Sequence, residues 1–275
     1  MQQKSVLILR KIFHLFVICL VVVTALTFVA IQNKKTNINS LNGNVKAGIH
    51  YIESKEQENP EKVYSELSSR QKKLEEELEF KEKNIRDAEI DNALERADGS
   101  IWNLFLNTAI LGDSRVEAFA NYAFLGSDYV FYNKGDTIRN IVDWQAELLE
   151  LNPKHIVFSY GINDVGIGYW ESGDDYAKEF KLILDELQKV LPETKFYISS
   201  IFVARDPAFE RGPAWREIPS YNDSLKKIFE ETDYVYIDNT EITETHANLY
   251  DPDGVHFYWE FYPYWAGNIL KSLIW

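Results

Sequence analysis

The sequence has a single cysteine, Cys19, and far fewer basic than acidic side chains. With one cysteine, no disulfide can close within the chain and no thiolate cluster can hold a metal ion. The chain has 29 lysines and arginines and 43 aspartates and glutamates, which gives a formal net charge of −14. A surface of this charge repels phosphate backbones, and no basic stripe interrupts it. The composition therefore argues against a nucleic-acid partner, and it indicates neither a metal nor a cofactor.

The sequence has only one long apolar run, residues 12–31, which contains no charged side chain. About 20 residues at roughly 1.5 Å rise each cross the ~30 Å hydrocarbon layer of a bilayer. We predict a transmembrane anchor over 12–31 after a short basic cytoplasmic tail, 1–11, with the rest of the chain outside the cytoplasm. The alternative is a signal peptide cleaved after residues 23–25, although the apolar run continues past that point.

Proline and glycine are absent from residues 61–98, a segment dense in charge, whereas residues 32–60 are polar without apolar periodicity. We expect a polar linker over 32–60 and a charged helical stalk over 61–98. Within the stalk, apolar residues recur at spacings that form an eleven-residue repeat, a pattern that keeps them on one helix face. That face either pairs with a partner or with itself, or the helix is a solvated spacer. The repeat consists of Val63, Leu67, Leu74, Leu78 and Ile85.

From residue 103 to 275, apolar runs alternate with amphipathic segments. Predicted strands cover Thr108–Leu111, Tyr129–Asn133, His155–Tyr160, Lys195–Ile201 and Tyr234–Ile237. Predicted helices cover Val116–Ala123, Ile138–Leu151, Asp175–Leu191, Ile218–Glu230 and Trp259–Trp275. Strands that alternate with helices indicate an α/β domain whose mostly parallel sheet is covered on both faces. In such sheets the active site lies beyond the carboxyl ends of the strands.

Three residues that follow predicted strands have side chains or backbone groups suited to acyl transfer. Ser114 ends the sequence Leu-Gly-Asp-Ser after the first strand, where a serine exposes its hydroxyl and its backbone N–H can face a developing oxyanion. Gly135 follows the second strand and offers an unobstructed N–H. Asn163 follows the third strand, and its amide can point at the same oxyanion. Taken singly, these residues are equally typical of a helix cap or a turn.

His256, in the sequence Asp-Pro-Asp-Gly-Val-His, precedes the last predicted helix. Asp253 comes three residues earlier, a spacing that lets its carboxylate contact Nδ1 of the imidazole. The other ring nitrogen, Nε2, is then free to remove a proton from Ser114. Asp251 is a rival for the orienting carboxylate.

Together these blocks resemble the SGNH hydrolase family, also called GDSL esterases. The matching residues are Ser114 in LGDS, Gly135 in NKG, Asn163 in GIND and His256 in DGVH. The resemblance extends from about Asn107 to the C-terminus. It implies a three-layer α/β sandwich like that of flavodoxin, no metal or cofactor, and catalysis through a covalent acyl-serine. Members of the family act on esters of lipids, acetylated sugars and peptidoglycan, and some pass the acyl group to a sugar.

Three features leave alternatives open. Arg115 stands where the common pattern has leucine, and it either holds an anionic substrate group or lies exposed on a first helical turn. The proline-rich segment Arg205–Pro219 is either part of a substrate wall or an ordinary surface loop. Most of the aromatic residues after His256 fit the core, whereas one or two are candidates for stacking on a sugar ring. They are Phe257, Tyr258, Trp259, Phe261, Tyr262, Tyr264 and Trp265.

These observations predict an anchored extracytoplasmic esterase or acyltransferase that uses an acyl ester donor and a carbohydrate acceptor. The resemblance extends to SGNH proteins that work beside membrane-bound O-acyltransferases, so such a partner is expected. A lipase or thioesterase is the second hypothesis, and it needs an apolar groove. A non-catalytic scaffold is the third, and it would have lost some of the catalytic residue types that are present here.

Overall fold

A computed structural model describes residues 43–56 and 60–274. The predicted anchor over 12–31 lies outside the described residues. Among the described residues, no helix is both long and apolar enough to cross a membrane. The internal contacts divide the chain into one unit that ends at Glu76 and a second unit from Glu77 to Trp275.

Two helices precede the sheet, α1 (Gly43–Glu56) and α2 (Pro60–Arg96). Helix α1 falls within the segment expected to be a linker. That expectation rested on missing apolar periodicity, but a polar segment without internal proline can still be helical. The members of the apolar repeat whose side chains are described are all more than half exposed, so its pairing with a partner stays a prediction. They are Leu67, Leu74, Leu78 and Ile85, at 59%, 67%, 54% and 70% exposure.

The second unit contains five strands, β1 (Thr108–Gly112), β2 (Val130–Tyr132), β3 (His155–Ser159), β4 (Lys195–Ser199) and β5 (Val235–Ile237). They form one sheet with the strand order β2-β1-β3-β4-β5. Every neighbouring pair runs parallel. This order is that of flavodoxin-like folds and confirms the predicted α/β architecture. Strands β1 and β3 are buried along their whole length, as expected for inner strands of a sheet covered on both faces.

Helices pack on both faces of this sheet and form two separate apolar clusters with it. The longest helix that follows β1 is α6 (Gly173–Val190). At helical spacing it buries Tyr176, Phe180, Leu184 and Leu187 on one of the two faces. The helices are α3 (Glu117–Asn121), α4 (Gln145–Leu151), α5 (Ile162–Ile167), α6 (Gly173–Val190), α7 (Ala208–Arg211), α8 (Ile218–Phe229), α9 (Thr240–Thr245) and α10 (Tyr262–Ser272). Further 3-10 turns include Ser100–Leu104, Ile138–Trp144, Pro213–Glu217 and Trp259–Phe261.

The C-terminal turns of α2 pack on α10, although the sequence placed this segment in the stalk. Ile90 and Ala93 are 1% and 3% exposed. Leu94 lies so close to Gly267 that a Cβ at that position would be 2.9 Å from its Cδ1. The second unit therefore includes residues before 103, the predicted start of the catalytic domain.

Candidate active site

Ser114 lies two residues beyond the end of β1, in a turn that precedes α3. The turn starts at Gly112, where a Cβ would lie 2.4 Å from the carbonyl oxygen of Ser159 and 2.3 Å from the Val116 side chain. Only glycine allows β1 to leave the sheet this close to β3. The Ser114 Oγ then lies 2.9 Å from Nε2 of His256, 142 residues later in the chain. The structure thus brings the predicted nucleophile and base into hydrogen-bond contact.

Asp253 orients the imidazole of His256 from the other side of the ring. Its Oδ2 lies 2.6 Å from Nδ1 of His256. Its Oδ1 accepts the backbone N–H groups of Val255 and His256, at 2.8 and 2.9 Å. Burial raises the pKa of Asp253, but the hydrogen bonds from His256 and Val255 outweigh burial and leave that pKa below its ordinary value. The carboxylate is therefore ionised at neutral pH and favours the proton on Nδ1.

Asp251, the rival carboxylate, has a different role. Its backbone N–H donates to the carbonyl of His256 at 2.8 Å, and its Oδ1 accepts the N–H of Asp253 at 3.3 Å. Gly254, with φ +74°, closes this loop, and a Cβ there would lie 2.3 Å from the carbonyl oxygen of Arg205. Asp251 shapes the loop, whereas Asp253 contacts the ring.

The predicted oxyanion donors lie on adjacent segments. Asn163 is in the first turn of α5, directly after β3, and its Nδ2 donates to the carbonyl of Asp136 at 2.9 Å. Gly135 is the residue before that carbonyl. The amide of Asn163 carries two N–H groups, so one hydrogen remains for a substrate oxygen when the other is bound to Asp136. The site therefore lies where β1 and β3 diverge, the switch point at which flavodoxin-like sheets bind ligands.

Asp164 also contributes to this loop, which the sequence did not indicate. Its side chain is fully buried, and Oδ1 accepts the backbone N–H of Ile138 at 3.1 Å. Asn163 and Asp164 thus bond to Asp136 and Ile138, the residues on either side of Thr137, and hold this loop in place. Burial raises the pKa of Asp164 to about 7, the hydrogen bond from Ile138 opposes this rise, and the nearby charge of Asp113 adds to it. The sequence contains this Asn-Asp pair, but its pattern predicted a role only for Asn163.

The interpretation of Arg115 as an exposed residue of a first helical turn is wrong, because this side chain is 1% exposed. Its contact with an anionic substrate group stays a prediction. Its guanidinium donates to the carbonyl of Phe202 at 3.1 Å and pairs with Asp113, Nε to Oδ1, at 3.4 Å. A buried arginine needs such partners, since an unpaired charge in the interior is costly. The backbone carbonyl of Arg115 accepts the hydroxyl of Tyr262 at 2.9 Å, which fixes the turn next to Ser114.

The aromatic residues after His256 divide between core and surface. Phe257, Phe261, Tyr262 and Trp265 are buried, so the prediction that most of them belong to the core is confirmed. The exposed ones are Tyr258, Trp259 and Tyr264, at 42%, 52% and 38%. The segment Arg205–Pro219 is not a plain loop, since it contains α7 and a 3-10 turn.

Residues 111–262 match the GDSL-like lipase/acylhydrolase family. The match covers more than half of the chain and spans every residue of the site described above. The chain therefore belongs to this family of hydrolases. A comparison with curated proteins finds no match.

Several solved structures are similar to this chain. An acetylxylan esterase from Geobacillus stearothermophilus is 17% identical, with 60% of this chain and 92% of that one covered and a TM-score of 0.47. A carbohydrate esterase of family 3 from Talaromyces cellulolyticus is 16% identical over 61% of this chain and 99% of that one, with a TM-score of 0.46. A lipase/acylhydrolase from Enterococcus faecalis is 16% identical over 60% and 93%, with a TM-score of 0.47.

Proposed function

We propose that this protein is a serine esterase or acyltransferase that acts on O-acyl groups, in particular acetyl groups, of a cell-surface polysaccharide. The observation that carries the catalytic part is the continuous hydrogen-bonded chain from Ser114 through His256 to Asp253, with distances of 2.9 and 2.6 Å. This arrangement activates a serine hydroxyl for attack on a carbonyl.

In the first half of the reaction, Nε2 of His256 takes the proton of Ser114 while Oγ attacks the ester carbonyl carbon. The carbonyl oxygen becomes an oxyanion, which the N–H groups of Ser114 and Gly135 and the amide of Asn163 stabilise. The intermediate then collapses, the C–O bond to the alcohol breaks, and His256 returns the proton to the leaving alcohol. In the second half, water or a sugar hydroxyl attacks the acyl-serine by the same steps.

Replacing the nucleophile tests this proposal. In the full chain, Ser114→Ala is expected to lower the hydrolysis of 4-nitrophenyl acetate by about a thousandfold or more, because Ser114 is the only hydroxyl among the described residues that bonds to His256. A fluorophosphonate probe should label the unmodified chain and not this variant. Ser127→Ala, which removes an exposed serine in a 3-10 turn, is the matched control and should change neither result. Labelling or activity that survives in Ser114→Ala would show that Ser114 is not the nucleophile, whereas an unmodified chain that shows neither would favour the non-catalytic scaffold.

Transfer to a sugar rather than to water is the finer part of the proposal. The predicted anchor over 12–31 and the stalk would hold the site near a membrane, where a membrane-bound O-acyltransferase partner can supply acyl groups at high effective concentration. The test incubates the full chain with an acetyl ester donor and glycan oligosaccharides, and mass spectrometry identifies the products. Acetylated oligosaccharide that disappears with Ser114→Ala supports transfer, whereas release of acetate alone from acetylated glycan indicates a tethered deacetylase.

An apolar cavity supports lipid esters as a second candidate substrate class. It measures about 340 Å³ and is lined by Leu94, Ile101, Trp102, Phe124, Trp259 and Tyr264, among others. The end of α2 and the start of α10 line the cavity, whereas Ser114, Asn163, Asp253 and His256 do not. If acyl chains enter it, Trp259→Ala should slow hydrolysis of 4-nitrophenyl decanoate more than that of the acetate. Tyr258→Ala, also exposed, is the control. Equal effects on both esters would reject this candidate.

A further inference from the structure

The segment Arg205–Glu217, which we name the brace, contacts both halves of the active site. At one end, the backbone N–H of Arg205 donates to the carbonyl of Gly254 at 2.9 Å. Nearby, Nη2 of Arg211 donates to the carbonyl of Asp253 at 2.6 Å. Both acceptors belong to the loop that carries the orienting carboxylate. The brace therefore holds that loop at two consecutive backbone carbonyls.

At its other end, the brace contacts the helix that carries Asn163. Nε1 of Trp215 donates to the carbonyl of Ile162, the first residue of α5, at 2.7 Å. The indole lies directly against this helix, since a Cβ at Gly166 would be 2.8 Å from the same Nε1. A bulkier residue at position 166 would displace the ring and with it the hydrogen bond. Asn163 follows the carbonyl that Trp215 holds.

The two ends of the brace are joined by a short and well-bonded path. The N–H of Ala208 donates to Arg205, that of Gly212 donates to Ala208, and that of Trp215 donates to Gly212, at 2.7, 3.0 and 3.0 Å. Ala208 is completely buried in the core. Because successive turns are bonded to one another, a displacement at one end is transmitted to the other.

We infer that Trp215 and Arg211 are positioning residues, through which the brace fixes the oxyanion donor Asn163 and the orienting carboxylate of Asp253 relative to each other. This inference rests on the proposed ester chemistry, and neither residue touches the reacting atoms. A hydrogen-bond donor in an oxyanion hole stabilises the transition state only when it is held in place in advance. Loss of either contact should therefore lower kcat and leave KM nearly unchanged.

Trp215→Phe removes the N–H and keeps an aromatic ring, and we expect a fall in kcat of roughly tenfold with KM within about twofold. The matched control is Trp170→Phe, because Nε1 of Trp170 also donates one bond, to Glu179 at 2.8 Å. That variant loses a similar bond without contact to the site, so its kcat should be unchanged. Arg211→Met is paired in the same way with Arg86→Met, because Nη2 of Arg86 also donates to a backbone carbonyl, that of Leu273 at 3.4 Å, outside the brace. Equal kcat values within either pair would overturn the inference for that residue.

The kcat of a double variant distinguishes a positioning role of Trp215 from a general effect on stability. If Trp215 acts through Asn163, then Trp215→Phe should cause almost no further loss of kcat in an Asn163→Ala background. Additive losses would mean that Trp215 acts by another route. A crystal structure of Trp215→Phe supplies a readout that needs no turnover, because the inference requires the contact between Asn163 and the Asp136 carbonyl to lengthen. An unmoved Asn163 in this structure would overturn the inference. A chain that hydrolyses no ester would contradict only the proposed function, and the position of Asn163 would still test the inference.

Discussion

At the scale of single residues, the roles of Asp253 and Asp251 can be separated by one kind of substitution. Asp253→Asn removes the charge that faces Nδ1 of His256 at 2.6 Å, and we expect kcat to fall by about 10²–10⁴-fold. In Asp251→Asn the side-chain oxygen can still accept the N–H of Asp253, so activity should stay within about threefold. Steady-state hydrolysis of 4-nitrophenyl acetate measures both. A larger loss at Asp251 would reverse the assignment.

Asn163 makes a second residue-scale prediction possible. Asn163→Ala should lower kcat by about 10²–10³-fold with little change in KM, because an oxyanion donor acts mainly in the transition state. Asn268→Ala is the matched control, because Nδ2 of Asn268 also donates to a backbone carbonyl, that of Asp238 at 2.9 Å, outside the site described above. If KM rises while kcat is kept, Asn163 binds the substrate and not the oxyanion.

Residue types and spacing predicted the contact of Asp253 with His256, because the two are only three residues apart. The contact of His256 with Ser114, 142 residues earlier, was predicted from the parallel-sheet topology and from the family resemblance. These signals did not predict the burial of Arg115 or of Asp164. Arg115 is covered because a carbonyl 87 residues away accepts its guanidinium, and Asp164 bonds to a backbone N–H 26 residues earlier. Such partners depend on how distant segments pack, and a motif contains no information about them.

At the scale of helices and strands, the end of α2 should matter for stability. A chain that starts at Asn103 lacks Ile90 and Ile101, which are 1% and 2% exposed, and it uncovers the apolar face of α10. We expect its free energy of unfolding to be roughly 3–6 kcal/mol lower, at about 1.5–3 kcal/mol for each buried isoleucine. A chain that starts at Glu77 keeps both residues and is the control. Urea denaturation measures the difference, and equal midpoints for the two chains would contradict it.

The strands were predicted to within two residues at each end, because β-branched and aromatic runs bounded by turn residues are a strong local signal. The docking of α2 was not predicted. Ile90 and Ala93 lie in a segment whose charge resembles that of the exposed turns before it. The close approach of this segment to α10 depends on Gly267, far along the chain, where a Cβ would lie 2.9 Å from Leu94 and 3.7 Å from Ile90. Helix α1 was missed for a different reason, since its polar sequence has no apolar face to detect.

At the scale of the whole molecule, two buried titratable groups should act on stability with opposite signs. Burial, together with the nearby Lys195 and Lys154, lowers the pKa of His155 from 6.5 to about 4. Burial raises the pKa of Asp164 from 3.8 to about 7. Between these values the unfolded chain binds more protons at His155 and fewer at Asp164 than the folded protein does. Rising pH therefore stabilises the fold through His155 and destabilises it through Asp164.

When either group is removed, the dependence of the free energy of unfolding on pH should be the one that the other group causes. Relative to the unmodified chain, Asp164→Asn should gain stability as pH rises from about 4 to 7, by a few kcal/mol at about 1.4 kcal/mol per pH unit. His155→Asn, which keeps an amide near the Tyr197 hydroxyl, should gain relative stability as pH falls from about 6.5 to 4, by a similar amount. Urea denaturation at half-unit pH steps measures the free energy of unfolding for all three chains. Curves that stay parallel across this window would show that neither group titrates as its burial requires, whereas divergence in opposite directions confirms both.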